Sequence, residues 1–246
     1  MIDDVSSGPE PVQAIIVDSL SKSFGTVHAV SNLTLSVRKG EFFGFLGPNG
    51  AGKTTTIKIL TGQLPPDAGK ATVLGHDIES PMDIKRAVGI IPEVTLLPTF
   101  LSVIEYLEFV CGVRGIAEDT IEHWLDFVEL SGNTHTLCKD LSQGMKQKLS
   151  FAAAFIHNPS LVFLDEPFAD VDPLMQRKLK TFLKEYTGEG GTVFLSTHIL
   201  EIAEKLCSRI AIVHEGQLIQ EGILTDLLEG GKTLETLFLD LVSTHE

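Results

Sequence analysis

The chain has 246 residues, 43% of them hydrophobic, with a formal net charge of −14 and a sequence pI near 4.9. That length and apolar content can bury a substantial core as one large domain or two small lobes, which excludes a disordered chain. The acidic balance argues against sequence-independent binding of DNA or RNA, where clustered Lys and Arg must neutralise phosphates, so no nucleic-acid partner is expected.

Residues 1–12, acidic and Pro-containing, read as a loose tail unlike a signal peptide. "QAIIVDSLSKSF" from Gln13 and "SNLTLSV" from Ser31 alternate apolar and polar residues like half-buried strands, which predicts an antiparallel start. "GEFFGFLG" is a continuous apolar run ending in a glycine loop, and "KTTTIKIL" reads as a helix that stops at Gly62. Between them, Gly47, Gly52, Lys53 and Thr54 occupy the fixed positions of G-x-x-x-x-G-K-[ST]. Strand, glycine loop and helix in that order predict a polyphosphate wrapped by the backbone of Gly47, Pro48, Asn49, Gly50, Ala51, Gly52, Lys53, Thr54 and Thr55. Lys53 can reach the β- and γ-phosphates, and the Thr54 hydroxyl is placed to ligate Mg²⁺. Such loops serve kinases, GTPases, helicases, motors and transporters alike. The loop names a ligand and leaves the task open.

The middle of the chain turns helical. Ser102 and Glu105 have capping-box spacing, Val103, Leu107 and Val110 repeat at helical period, and Ile121, Trp124, Leu125 and Val128 do the same; Trp124 reads as a packing residue. In "DLSQGMKQKLSFAAAF", Ser142 is an apt N-cap, Gly144 allows close approach, and the helix ends before Pro159. A helix N-terminus with a hydroxyl can hold an anion, yet it has no lysine loop or metal ligand of its own. It is either half a binding site or an ordinary capped helix.

"PSLVFLDE" then delivers Asp165 and Glu166 at the end of a buried strand, where ligands bind in open α/β sheets. Asp165 suits Mg²⁺, and Glu166 suits orienting and polarising an attacking water. "TVFLSTH" places His198 at another strand end, within reach of a γ-phosphate or that water. A helix over "ILEIAEKLC", two strands around a turn at Glu215 and Gly216, and a short amphipathic helix after Gly231 complete the pattern. Cys111, Cys138 and Cys207 are too widely spaced for a disulfide framework or zinc site, which fits a reducing cytoplasm. No apolar run approaches the roughly 20 residues needed to span a bilayer, so the chain itself is expected to be soluble.

In this order the motifs resemble the nucleotide-binding domain of ABC transporters, over about residues 15–222. The expected fold is α/β: a P-loop NTPase core with a mixed or parallel sheet, an N-terminal antiparallel β subdomain and an inserted α-helical subdomain. The expected organisation is a tail over 1–12, an ATPase domain over 13–231 with 94–159 as its helical insertion, and a short helix or tail over 232–246. The resemblance implies that the signature of one subunit closes on the ATP of another, so that Leu141, Ser142, Gln143, Gly144 and Met145 act across a dimer. It matches Phe24 to the adenine-stacking position, Asp172 to the loop that contacts the opposing P-loop, and His198 to the switch histidine. Glu93 in "GIIPEV" stands where Gln is usual, keeping an oxygen ligand for Mg²⁺ and adding negative charge beside the γ-phosphate. The implied catalytic set is Lys53, Glu166 and His198, and the metal set is Thr54, Asp165 and Glu93. Gln143 replaces a signature glycine and Met145 the usual Gln.

"PE" together with "SQGMKQKL" is similar to ATPases of export-type transporters of drugs, antibiotics or other hydrophobic cargo. The resemblance then implies ATP and Mg²⁺, a second ATP-binding subunit, separately encoded membrane permease subunits and a place on the cytoplasmic face of the membrane; the apolar residues of 94–100 read either as the surface where those subunits dock or as plain loop packing. The alternatives are a soluble regulatory or genome-maintenance ATPase on the same fold, the ATPase of an importer, and a non-catalytic partner in a heterodimer. The last is usually marked by loss of the positions that Glu166 and His198 occupy here.

Overall fold

The computed structural model describes residues 12–245, so the expected tail lies outside the described residues except for Val12, whose carbonyl accepts from the Lys39 amide at 2.9 Å. β1 (Gln13–Phe24) and β2 (Val27–Arg38) form the expected antiparallel pair. β3 (Phe42–Leu46) is buried at every residue and runs through the glycine loop into α1 (Lys53–Leu60). The chain then returns as β4 (Ala68–Val73), antiparallel to β1, with β5 (His76–Asp77) on the edge, giving the order β2-β1-β4-β5. α2 (Pro81–Ala87) leads to β6 (Val88–Ile91).

The helical segment follows as α3 (Val103–Arg114), α4 (Ile121–Phe127), two single 3-10 turns and α5 (Gln143–Phe155). Both halves of the Ser102–Glu105 capping box are formed. The chain re-enters the sheet as β7 (Leu161–Asp165), α6 (Pro173–Gly188), β8 (Thr192–Thr197), α7 (Leu200–Leu206), β9 (Arg209–His214) and β10 (Gln217–Ile223). It closes with α8 (Leu224–Leu227) and α9 (Leu234–His245).

The second sheet has the order β10-β9-β3-β8-β7-β6, parallel throughout except between β10 and β9. Its central strands β3, β7 and β8 are buried at every residue because both faces are covered. Phe43, Phe45, Phe163 and Phe194 pack with α1 and the antiparallel sheet, while Leu46, Leu164, Leu195 and Ile212 pack with the helical segment. Trp124 stacks on Phe155 at 5.9 Å between ring centroids and meets Phe182 edge-on at 5.6 Å, so it joins α4, α5 and α6 as a packing residue.

Register decides what meets at the sheet edge. Leu46 pairs with Thr197 and Asp165 with Ser196, so β3, β8 and β7 end level. The glycine loop, the Asp165–Glu166 pair and His198 therefore emerge side by side at the carboxyl ends of parallel strands, where such sheets bind ligands.

Candidate functional site

Gly52 caps α1 in a left-handed conformation with φ of 95°, and a Cβ there would run into the Ala29 carbonyl of β2, so only glycine fits. The loop before it folds over Lys53, which is only 7% exposed and donates from Nζ to the carbonyls of Gly47 at 2.8 Å and Pro48 at 3.1 Å. Burial pulls the Lys53 ammonium below the usual lysine range, against the opposing pull of Glu166, Asp165 and Glu93. The result is a cation held at the root of a loop, facing acids and the N-terminus of a helix.

Thr54 Oγ1 donates its proton to Asp165 Oδ2 at 2.6 Å, and Glu93 Oε2 stands 3.3 Å from the same hydroxyl. Ser196 Oγ donates to the other Asp165 oxygen at 2.7 Å. Burial pushes the Asp165 carboxyl upward, the two hydroxyl bonds pull it back, and the charges of Glu93 and Glu166 add to the rise. Hard oxygens from a hydroxyl and two carboxylates suit Mg²⁺, which takes one or two protein carboxylates and completes its shell with phosphates and water. Thr54, Asp165 and Glu93 would hold it.

Glu166 has a positive φ of 48°, an uncommon conformation for a residue with a side chain, held by its amide donating to the Ser196 carbonyl at 3.0 Å. Its carboxylate is fixed at both oxygens. Oε1 meets the His198 amide at 2.9 Å and the His198 ring Nδ1 at 2.6 Å, while Oε2 accepts from Thr197 Oγ1 at 2.8 Å. A carboxylate so oriented at a cavity rim can polarise a water without rearranging.

A cavity of about 190 Å³ is lined by Asn49, Gly50, Gly52, Lys53, Thr54 and Thr55 together with Glu93, Asp165, Glu166 and Ala29. Gly47 and Pro48 serve it through the carbonyls that hold Lys53, and His198 serves it through Glu166. Phe24, 51% exposed, is not among the lining residues, nor are Ala51, Ser142, Gly144 and Asp172. Ser142 caps α5 by accepting from the Met145 amide at 3.2 Å, and Asp172 caps α6 by accepting from the Met175 amide at 3.0 Å. Sequence reasoning missed Ser196, Thr197 and Ala29. The first two were visible as paired hydroxyls just ahead of His198; nothing local marks Ala29.

Residues 30–169 match the family model described as ABC transporter. Over 211 residues, 83% of this chain, it is 40% identical to ATP-binding cassette sub-family A member 2 of Homo sapiens, spanning 9% of that protein. It is 35% identical to Nod factor export ATP-binding protein I of Cupriavidus pinatubonensis over 90% of this chain and 70% of the relative. A solved ATP-binding subunit of an ABC transporter superposes with a TM-score of 0.87 at 31% identity, covering 93% of this chain and 99% of the other. The family model covers more than half of the chain, and these relatives match it at 30% identity or more over most of its length, which leads to one assignment: the chain belongs to the ABC transporter family.

Proposed function

We propose that the chain is the ATP-binding and ATP-hydrolysing subunit of an ABC transporter, with 13–231 as its ATPase domain, acting as a dimer and driving export through separate membrane subunits. The observation that carries this reading is the single cavity edged by Lys53, Thr54, Asp165 and a Glu166 whose carboxylate is fixed by Thr197 and His198. Lys53 and the loop amides from Gly47 to Thr55 bind and orient the phosphates. Bound Mg²⁺ would neutralise charge on the β- and γ-phosphate oxygens. Glu166 orients a water and takes up its proton, while His198 holds the Glu166 carboxylate in place. Phe24 offers an exposed ring to adenine, and Ser142, Gly144 and Asp172 face the partner's nucleotide. Relatives whose name is Nod factor export ATP-binding protein support the export direction.

Steady-state phosphate release by the purified chain, alone and with co-purified membrane subunits, tests the reading; no Mg²⁺-dependent turnover in either preparation overturns it. Replacing Glu93 by Gln leaves turnover within about threefold of the parent, because an amide oxygen can still face Thr54 and one negative charge is removed. Complete loss in that variant would assign the carboxylate an indispensable role.

Membrane coupling has a candidate surface. A cavity of about 270 Å³ lies beside the Glu93 segment, lined by Leu96, Leu97, Tyr106, Phe109 and Val113 among others. Leu96 is 86% exposed and Val113 69%. Among the described residues no helix is long and apolar enough to cross a membrane, and this reading assigns the cargo path to the membrane subunits. Leu96→Asp combined with Phe109→Asp weakens co-purification with the permease by about tenfold or more while ATP affinity stays unchanged, since apolar anchors in pockets dominate interfaces. Undiminished co-purification would place the docking face elsewhere.

A further inference from the structure

Two side-chain amides, making three hydrogen bonds, and a bare Cα hold the stretch that follows Glu166. Gln147, in the second turn of α5 and only 7% exposed, donates from Nε2 to the Pro167 carbonyl at 3.2 Å. Its Oε1 accepts from Thr95 Oγ1 at 2.7 Å. A carbonyl can only accept, so the amide nitrogen must face Pro167, which turns the oxygen toward Thr95; the other orientation breaks the bond to Pro167. Gln176 of α6 donates to the carbonyls of Phe168 at 2.9 Å and Val171 at 3.1 Å. At Gly144 a Cβ would stand 2.6 Å from the Asp170 carbonyl, so α5 packs directly against this backbone.

The stretch needs such restraint. Glu166 and Asp170 both have positive φ, 48° and 58°. Non-glycine residues remain in that region only where their surroundings over-determine them. Thr95, at the far end of the Gln147 bridge, lies two residues past Glu93 and between the exposed Val94 and Leu96. One buried side chain thus spans the loop carrying Glu93, the helix capped by Ser142, and the residue following Glu166.

We propose that Gln147 is a positioning residue that sets the Glu166 carboxylate through the Pro167 carbonyl and makes that setting depend on where Thr95 sits. Displacement of the 93–96 segment, for example by a protein docked on Leu96, is passed through Thr95 and Gln147 to the backbone that aims Glu166. The role rests on the ATPase reading above. It adds a residue that touches neither nucleotide nor metal.

The test is a double-mutant cycle on the full chain with its membrane subunits. Gln147→Met keeps the volume and removes both bonds; Thr95→Val is isosteric and removes one. Gln147→Met lowers kcat about tenfold and Thr95→Val about threefold, with KM for ATP and affinity for a non-hydrolysed ATP analogue within twofold of the parent, the pattern of misplaced chemistry rather than lost binding. The double variant matches Gln147→Met alone, because both substitutions cut one chain of bonds. Additive losses, a parallel rise in KM, or a Gln147→Met kcat within twofold of the parent overturn the proposal. If Gln147→Met does not fold, Thr95→Val decides: an unchanged kcat overturns the role, and a threefold fall at constant KM supports it. A parent that releases no phosphate removes the ATPase reading and this role with it, whereas an active parent with indifferent variants removes the role alone.

Discussion

Glu166→Gln is expected to lower phosphate release by about a thousandfold while leaving ATP bound and the chain dimeric on it. The substitution is nearly silent in shape. A Gln oxygen can accept from the His198 amide where Glu166 Oε1 now does at 2.9 Å, and its NH₂ can donate to Thr197 Oγ1, whose hydroxyl rotates to accept. Lys53, Thr54 and Asp165 keep their own bonds, so phosphate binding is untouched. What disappears is the negative charge proposed to polarise the water and receive its proton. Closure driven by the bound triphosphate then persists because hydrolysis no longer ends it. Phosphate release and size-exclusion chromatography in MgATP read the two halves separately. Turnover within tenfold of the parent would move water activation to another group, and a monomer under every nucleotide condition would remove the ATP-driven dimer.

The parts of this site that local sequence discloses are those whose chemistry is local. "FLGPNGAGKT" needs only its own glycines and lysine, and Asp165 and Glu166 stand out because four buried apolar residues run straight into two acids. Ser142 reads as a cap for the same reason and caps α5, while Asp172, matched by resemblance, caps α6. What stays hidden depends on register. Ser196 and Thr197 hold the acids only because β8 lies level with β7, a pairing of residues some 30 positions apart that no local pattern encodes. β4 escapes a period-2 reading because only Ala71 and Val73 of its residues are buried, and α2 buries Ile84 alone, too little for a helical stripe. Gly144 shows how a correct reason can have a different object. Close approach to an anion was the expectation, and within one chain the group that approaches is the Asp170 carbonyl.

Mixing two inactive variants separates a shared site from a self-contained one. Ser142 is exposed and is not among the residues lining the cavity at Lys53, so within one chain the capped end of α5 does not complete the nucleotide site. Lys53→Ala removes the cation that ties down the Gly47 and Pro48 carbonyls and that is proposed to bind the phosphates. Ser142→Arg fills the N-terminus of α5 with a bulky side chain, at a folding cost of about 1 kcal/mol for the lost cap. Each variant alone is expected to hydrolyse ATP at less than about a hundredth of the parental rate. In a symmetric dimer, an equal mixture forms hybrids in half of its pairs. One site of each hybrid joins the altered loop to the altered helix end; the other joins the intact Lys53 to the intact Ser142. With independent sites the mixture therefore regains about a quarter of parental turnover. Sites that must fire together, or an obligatory partner of different sequence, lower that figure, and the same mixture incubated with the partner subunit distinguishes the two. Ser142→Arg turning over at the parental rate would show that the α5 terminus is only a cap and that the nucleotide site closes without it.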